Sequence, residues 1–377
     1  MLPVFRGNVV GTATPVTNAA GTQMQVGTTN AASMSINRVV TNTPSQIFGT
    51  LSSNGKLVLV NQSGITVGAG AVVDSAGFTA SVLGMSEADA ATGRLRFNAD
   101  DLSGGNGALR VEGNVIARGG DVVLIAPNIE VAKTAVVEAQ NGTAILAAGQ
   151  RVEVTGRGLE GIVLQVQAPT DRAVNLGTLK GDAVGIFAGQ LRHSGDIRAN
   201  GVSLEGGHVV LRASDLAEVN GTIEATRTIG GVTNGGSVEI VGRLAVLNGT
   251  VDVRGSAGGA VTVTGQAILQ GGQIDASGLV TGGNVQIVAQ QYVEQSASVQ
   301  LRADGGSAAG GTVRVQVTDA DGSILSSATV SANGATGGSV VVAAPTIRLQ
   351  AATVTAEGTD TVAGNGGSIK MWWPPGQ

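Results

Sequence analysis

The sequence predicts an all-β chain wound as a right-handed parallel β-helix, a β-solenoid with Gly-rich turns. Three observations predict it. A Gly-Gly-x-Val or Gly-Gly-x-Ile segment recurs along the chain, apolar and polar residues alternate with period two inside each segment, and the composition suits a narrow, sharply turning core. The 377 residues include Gly 60, with 42% hydrophobic, 13% charged and only 2% aromatic residues. Small β-branched side chains fill thin strands, and glycine permits tight corners. A disordered linker would lack the β-branched residues, and collagen would show glycine at every third position.

The repeat opens at Gly206, Gly235, Gly258, Gly282, Gly310, Gly337 and Gly366, at intervals of 23 to 29 residues, with an earlier copy at Gly119. Such a period is the signature of a stacked array. Between these openings lies a second recurring strand, as in GDIRANG from Gly195, GTIEATR from Gly221, GTVDVRG from Gly249 and ATVTAEG from Ala352. Each period therefore holds at least two short strands. Alternation places Val251, Val253, Val313, Val315 and Val317 inward and Asp252, Arg254, Arg314 and Gln316 outward, with one face buried and one wet. Helical i, i+3, i+4 spacing is missing. The exception is Ser86 to Thr92, where Ser86 is an N-cap with Asp89 three residues on, which predicts a short helix interrupting the solenoid. An antiparallel sandwich would also use Asn-Gly turns. It has no need of the period, whereas parallel coils stack equivalent residues about 4.8 Å apart.

The net charge of −5 and the scattered basic residues leave no electrostatic footprint for nucleic acid or an anionic membrane. Cysteine is absent, which fits a chain that crosses an oxidising periplasm unfolded. No run approaches the roughly 20 apolar residues that span a bilayer. The start, Met1 to Gly7, carries no basic region followed by an apolar stretch, so the expectation is a secretory signal already removed.

Chemistry is sparse. His193 and His208, the only two histidines, have no Cys or His-Glu-x-x-His context, so neither a zinc site nor any other cofactor is expected; both are read as polar turn or outward-facing positions. No Gly-x-Ser-x-Gly elbow supports nucleophilic catalysis. Polysaccharide-active β-helices gather carboxylates on one face, but Asp100 and Asp101 would point to opposite faces of a strand. Asp319-Ala320-Asp321-Gly322 resembles the opening of a calcium loop without its later ligands, and a solvated turn is expected. Asn61, Asn141, Asn220 and Asn248 begin Asn-x-Ser/Thr triplets, read as turn followed by strand start. Lys180-Gly181-Asp182 is read as turn chemistry. The chain is expected not to be an enzyme.

The front of the chain carries a run of specific segments: Ser35-Ile36-Asn37-Arg38-Val39-Val40; Pro44-Ser45-Gln46-Ile47-Phe48-Gly49; Ser53 through Asn61-Gln62-Ser63-Gly64-Ile65; Gly68 to Ala71; and Ala80-Ser81-Val82-Leu83. Together they resemble the two-partner secretion domain at the amino end of the filamentous haemagglutinin family of Gram-negative exoproteins. The family's Asn-Pro-Asn-Gly-Ile motif stands here as Asn61-Gln62-Ser63-Gly64-Ile65, keeping the first Asn and the Gly-Ile that a turn requires. Only Gly11 to Ser35 separates the opening Gly7 to Val10 from the Asn37-Arg38 pair, without the Trp and Phe usual there. The resemblance implies a front domain over 1–100 and a continuing shaft over 101–377. It also implies a secretion motif at Asn37, Arg38 and Asn61 to Ile65, and export by an outer-membrane two-partner-secretion transporter to the medium or the surface of a Gram-negative cell. There the chain is expected to act as an adhesin or matrix component that meets a host or cell-surface glycan or protein.

At the other end, Trp372-Trp373-Pro374-Pro375 breaks the pattern. Proline cannot extend a ladder. Trp372 and Trp373 are expected either to cap the solenoid or to form end contacts with another copy, stacking head to tail into a fibre.

Overall fold

The computed structural model describes residues 30–39, 42–99, 107–202, 206–359 and 365–372, and the backbone of 6–10, 15–17 and 23–26. The chain divides into two compact units, Met1–Leu191 and Arg192–Gln377. Each is a parallel β-solenoid, as the repeat predicts.

In the second unit the Gly-Gly openings stack residue on residue. His208, Ser237, Ala260, Asn284, Thr312, Ser339 and Ser368 form one register column, with Val209, Val238, Val261, Val285, Val313, Val340 and Ile369 beside it. The second strand of each period forms its own column, Ile197, Ile223, Val251, Ile274, Leu301, Val330 and Val354. A third column, Leu244–Leu247 over Ala267–Gln270 over Tyr292–Gln295 over Ser323–Ser326, was not distinguished in the sequence because it merges with the end of the first strand. Through Val330 and Val340 the inward residues of these columns are buried and their neighbours are more exposed, with Val251, Val253, Val313, Val315 and Val317 inside as the alternation predicts. The glycine pairs answer a packing demand: a Cβ on Gly235, Gly258 or Gly282 would collide with the backbone oxygen of Val253, Ala276 or Ala303.

The first unit adds features that the period does not announce. Its coils also carry three strand columns, seen where Met34, Lys56 and Gly77 stack, then Ser45 and Ile65, then Thr50 and Val72. Two excursions leave the coils. One holds the helix Glu87–Thr92 and the strand Leu95–Asn98; the other holds the strands Arg151–Val154 and Ile162–Val166. The three strands join into an antiparallel sheet outside the solenoid. The helix matches its sequence signature, with the Ser86 hydroxyl accepting from the Asp89 amide at 3.0 Å and Gly93 closing it at φ 71°.

The excursions correct one expectation. Gly77–Ser81 and Val122–Ala126 are buried on both faces rather than one. Leu159 of the second excursion lies against Gly185, and Phe97 and Val152 of the external sheet are themselves buried. A strand covered on both sides reads as a continuous apolar run, as Val122-Val123-Leu124-Ile125-Ala126 does.

Three further antiparallel pairings depart from the parallel plan. Arg6–Val10 runs against Met34–Arg38, Pro15–Thr17 pairs with Gln23–Val26, and Thr222–Ile229 folds back on Val232–Gly235 through left-handed Gly230 and Gly231.

Candidate secretion-recognition site

Asn37 and Arg38 end the strand Met34–Arg38, and Asn61 to Ile65 follow the strand Lys56–Val60 on the next coil. The two strands pair in parallel, Asn37 opposite Leu59 and Arg38 opposite Val60, so the separated halves of the motif become neighbours. Asn37 Nδ2 donates to Ser35 Oγ at 3.3 Å and to Val58 O at 3.4 Å. Arg38 lies 3.9 Å from Glu87 at the start of the external helix.

Asn61 is fully buried. Its Nδ2 donates to Thr43 O at 3.0 Å and Ser45 Oγ at 2.8 Å, while its Oδ1 accepts from Ser63 N at 2.9 Å. Its own N–H reaches Ser81 O, and its carbonyl accepts from Gly64 N at 3.1 Å. The residue thus closes the turn, its side chain tied to the coil before and its backbone N–H to the coil after. Gly64 sits at φ 120°, where a side chain is strained. Ile65 then enters the core. The missing proline and second asparagine leave this turn intact, because Asn61 and Gly64 meet its demands. Gln62 and Ser63 remain half-exposed at its tip.

Phe48 belongs to the same region and the motif did not single it out. It is 68% exposed, and its ring lies on Gly68 of the next coil, where a Cβ would displace it. The signal was an aromatic residue in a chain with only 2% of them, placed outward by the alternation Ser45 in, Gln46 out, Ile47 in.

Elsewhere the structure corrects one histidine. His193 is fully buried instead of outward-facing, because Leu191 and His193 share the inward face of the strand Thr178–His193. Its Nε2 lies 3.1 Å from Thr222 O, and since a carbonyl only accepts, that nitrogen carries the proton. Burial lowers its pKa to about 4. His208 instead contacts Ser237 Oγ through Nδ1. Lys180-Gly181-Asp182 is likewise not a turn but part of that long strand, at a register shift. Burial raises the Asp182 pKa, partly offset by Arg157. Asp319 and Asp321 sit in an exposed turn as expected. Asn141 adopts φ 55°, and Asn248 Nδ2 donates to Asn220 Oδ1 at 3.1 Å, so these asparagines serve turns and a short ladder. Asp100, Asp101 and Trp373 lie outside the described residues; Trp372 is half-exposed in the strand Ser368–Trp372. Among the described residues no three His, Cys, Asp or Glu side chains converge on a metal position.

Comparison with known proteins follows the same lines. The profile of the TPS secretion domain matches residues 9–240. The HMW1 secretion domain from Haemophilus influenzae has a similar structure, with a TM-score of 0.73 and 22% identity, covering 98% of this chain and 99% of that one. No curated protein sequence matches. With more than half its length matched, the chain belongs to the TPS secretion domain family, that of exoproteins exported by two-partner secretion.

Proposed function

We propose that this chain acts as a secreted adhesin or matrix exoprotein exported by a two-partner secretion route. Its front coils, with Asn37, Arg38 and Asn61 to Ile65, are what the periplasmic portion of its outer-membrane transporter engages. One observation carries this reading: the two halves of the motif, more than twenty residues apart, lie side by side on adjacent coils around a fully buried Asn61. The coils from 101 onward act as a shaft that displays its turns to a host or neighbouring surface and have no catalytic role. Each coil buries apolar residues as it stacks, so folding outside the cell favours onward export.

The test is secretion from cells carrying or lacking each candidate outer-membrane transporter, with the wild-type chain and Asn61→Ala. The wild type is expected in the medium only with its partner, and Asn61→Ala is expected to export poorly. Removing that side chain leaves buried groups unpaired at about 1–3 kcal/mol, so a melting curve separates misfolding from lost recognition. Equal secretion with and without every transporter would overturn the reading.

A further inference from the structure

The geometry points to a groove above the corner Gly271-Gly272 of the second unit as a binding site for a neutral saccharide. The inference rests on the display role proposed for the shaft and names the ligand class; it does not depend on the export route. Leu247, Gln270 and Gln295 stack in register, so the corners that follow them, Asn248-Gly249, Gly271-Gly272 and Ser296-Ala297-Ser298, lie one above another. The middle corner carries no side chain, whereas those on either side do. The groove is the recess this difference leaves, about 410 Å³ between Asn248 on one side and Ser296 and Ser298 on the other, with Leu269 and Glu294 along it. That volume falls within the range of about 300–1,000 Å³ usual for small-molecule sites. A Cβ on Gly271 would lie 2.7 Å from Asn248 Oδ1 and 3.8 Å from Ser296 Oγ, so the two oxygens converge on one point above the glycine.

The hydrogen bonds already made decide what the groove has left to offer. Ser298 Oγ donates to Gly271 O at 2.7 Å, so in the 2.8 Å contact between Ser296 and Ser298 the Ser296 hydroxyl is the donor, and Ser296 Oγ keeps acceptor capacity alone. Asn248 Nδ2 donates to Asn220 Oδ1 at 3.1 Å and leaves its own Oδ1 over the groove. Glu294 Oε2 accepts the Tyr292 hydroxyl at 3.1 Å, and the exposed carboxylate has capacity for further donors. Three acceptors therefore line one recess, and the ligand must be rich in donors. Gln270 adds the converse demand. It lines the groove and is 4% exposed; its Oε1 accepts from Gln295 Nε2 at 2.9 Å, and its Nε2 has no partner. A buried donor without an acceptor is costly. Hydroxyl groups, which accept as well as donate, answer both demands, whereas an amine answers only the first. Half-buried Leu269 offers an apolar wall to the C–H face of a ring. Glu294 is the only ionisable side chain among the described residues of the lining, so an anionic ligand would meet its charge with no cation to offset it. Many hydroxyls, an apolar ring face and no negative charge describe a neutral sugar.

The experiment titrates the purified, folded full chain with lactose, cellobiose and mannobiose, and with sialyllactose and putrescine as charged comparisons, read by calorimetry and by saturation transfer to the ligand protons. At least one neutral disaccharide is expected to bind, with a Kd of about 1 mM. Gly271→Ala places a methyl group where Asn248 and Ser296 converge and is expected to weaken binding about fivefold or more. Its melting temperature is expected to stay near that of the wild type, because the atom it meets is the end of the Asn248 side chain. Asn248→Ala, at an exposed position, is expected to weaken binding at least about threefold whether or not Gly271→Ala folds. The wild type is expected to bind sialyllactose at least about threefold more weakly than lactose, and Glu294→Gln to narrow that gap. Asp321→Asn, in an exposed turn elsewhere on the unit, is expected to bind as wild type. Unimpaired binding by both Gly271→Ala and Asn248→Ala overturns the site. Tighter binding of sialyllactose than of lactose overturns the neutral chemistry, and binding of putrescine in place of every sugar overturns the saccharide. No binding of any neutral disaccharide by the wild type overturns the inference alone if beads coated with the chain still adhere to cells, and the display role with it if they do not.

Discussion

Two buried polar residues show how position decides role. Asn61 spends its hydrogen-bonding groups on its own turn and the coils beside it, so it shapes the turn from beneath. His193 is held neutral, with a folded-state pKa near 4 against about 6.5 in the unfolded chain. Between those values the unfolded chain binds more protons, so this histidine's contribution is complete above about pH 6.5 and falls as pH drops toward 4. Below 4 the loss is complete, at about 3 kcal/mol. Denaturant unfolding at pH 7.5 and pH 4.5 checks this. The wild type is expected to lose more stability between the two than His193→Leu, since carboxylate titrations common to both proteins cancel. An equal loss in the two proteins would show that His193 is already protonated or solvated in the fold. The burial was legible in principle, because counting by two from Leu191 places His193 inward, but a histidine's polarity argued for the surface.

At the scale of the strand and its turn, the Gly-Gly openings were read from the sequence as a period and the structure supplies their reason. The second strand of one coil and the opening of the next approach so closely that a single Cβ meets a backbone oxygen. Backbone cannot rotate away as a side chain can. Gly258→Ala is therefore expected to destabilise the fold by about 1–3 kcal/mol, whereas Gly119→Ala, with open space at its Cβ position, is expected to be near neutral. Thermal melts of both variants decide it, and equal melting temperatures would refute the close-approach account. The helix at Glu87–Thr92 was equally legible, because its cap is local. The external sheet was not. Its strands Leu95–Asn98, Arg151–Val154 and Ile162–Val166 come from two excursions over fifty residues apart, and no short-range pattern links them.

Over the whole molecule, stacking makes stability a sum over neighbours. The columns of the second unit stay in register across each period, with Ser237, Ala260 and Asn284 successive members of one of them. Deleting residues 259–282 would bring Gly258 to Gly283 and seat Asn284 directly on Ser237. Such a chain is expected to fold with the same circular dichroism per residue and a melting temperature within several degrees of the wild type. Loss of cooperative unfolding would show that the coils are not interchangeable units. The sequence by itself determined the solenoid, its inward valines and the turn at Asn61 to Ile65, because these depend on alternation, period and local turn chemistry. Only the tertiary structure decided that the strand of Asn37 lies beside the strand leading to Asn61, that Phe48 rides on Gly68, that strands of the first unit are covered on both faces, and that His193 is buried. Each depends on which coil lies beside which, and coils of unequal length set that register through packing that no single segment encodes.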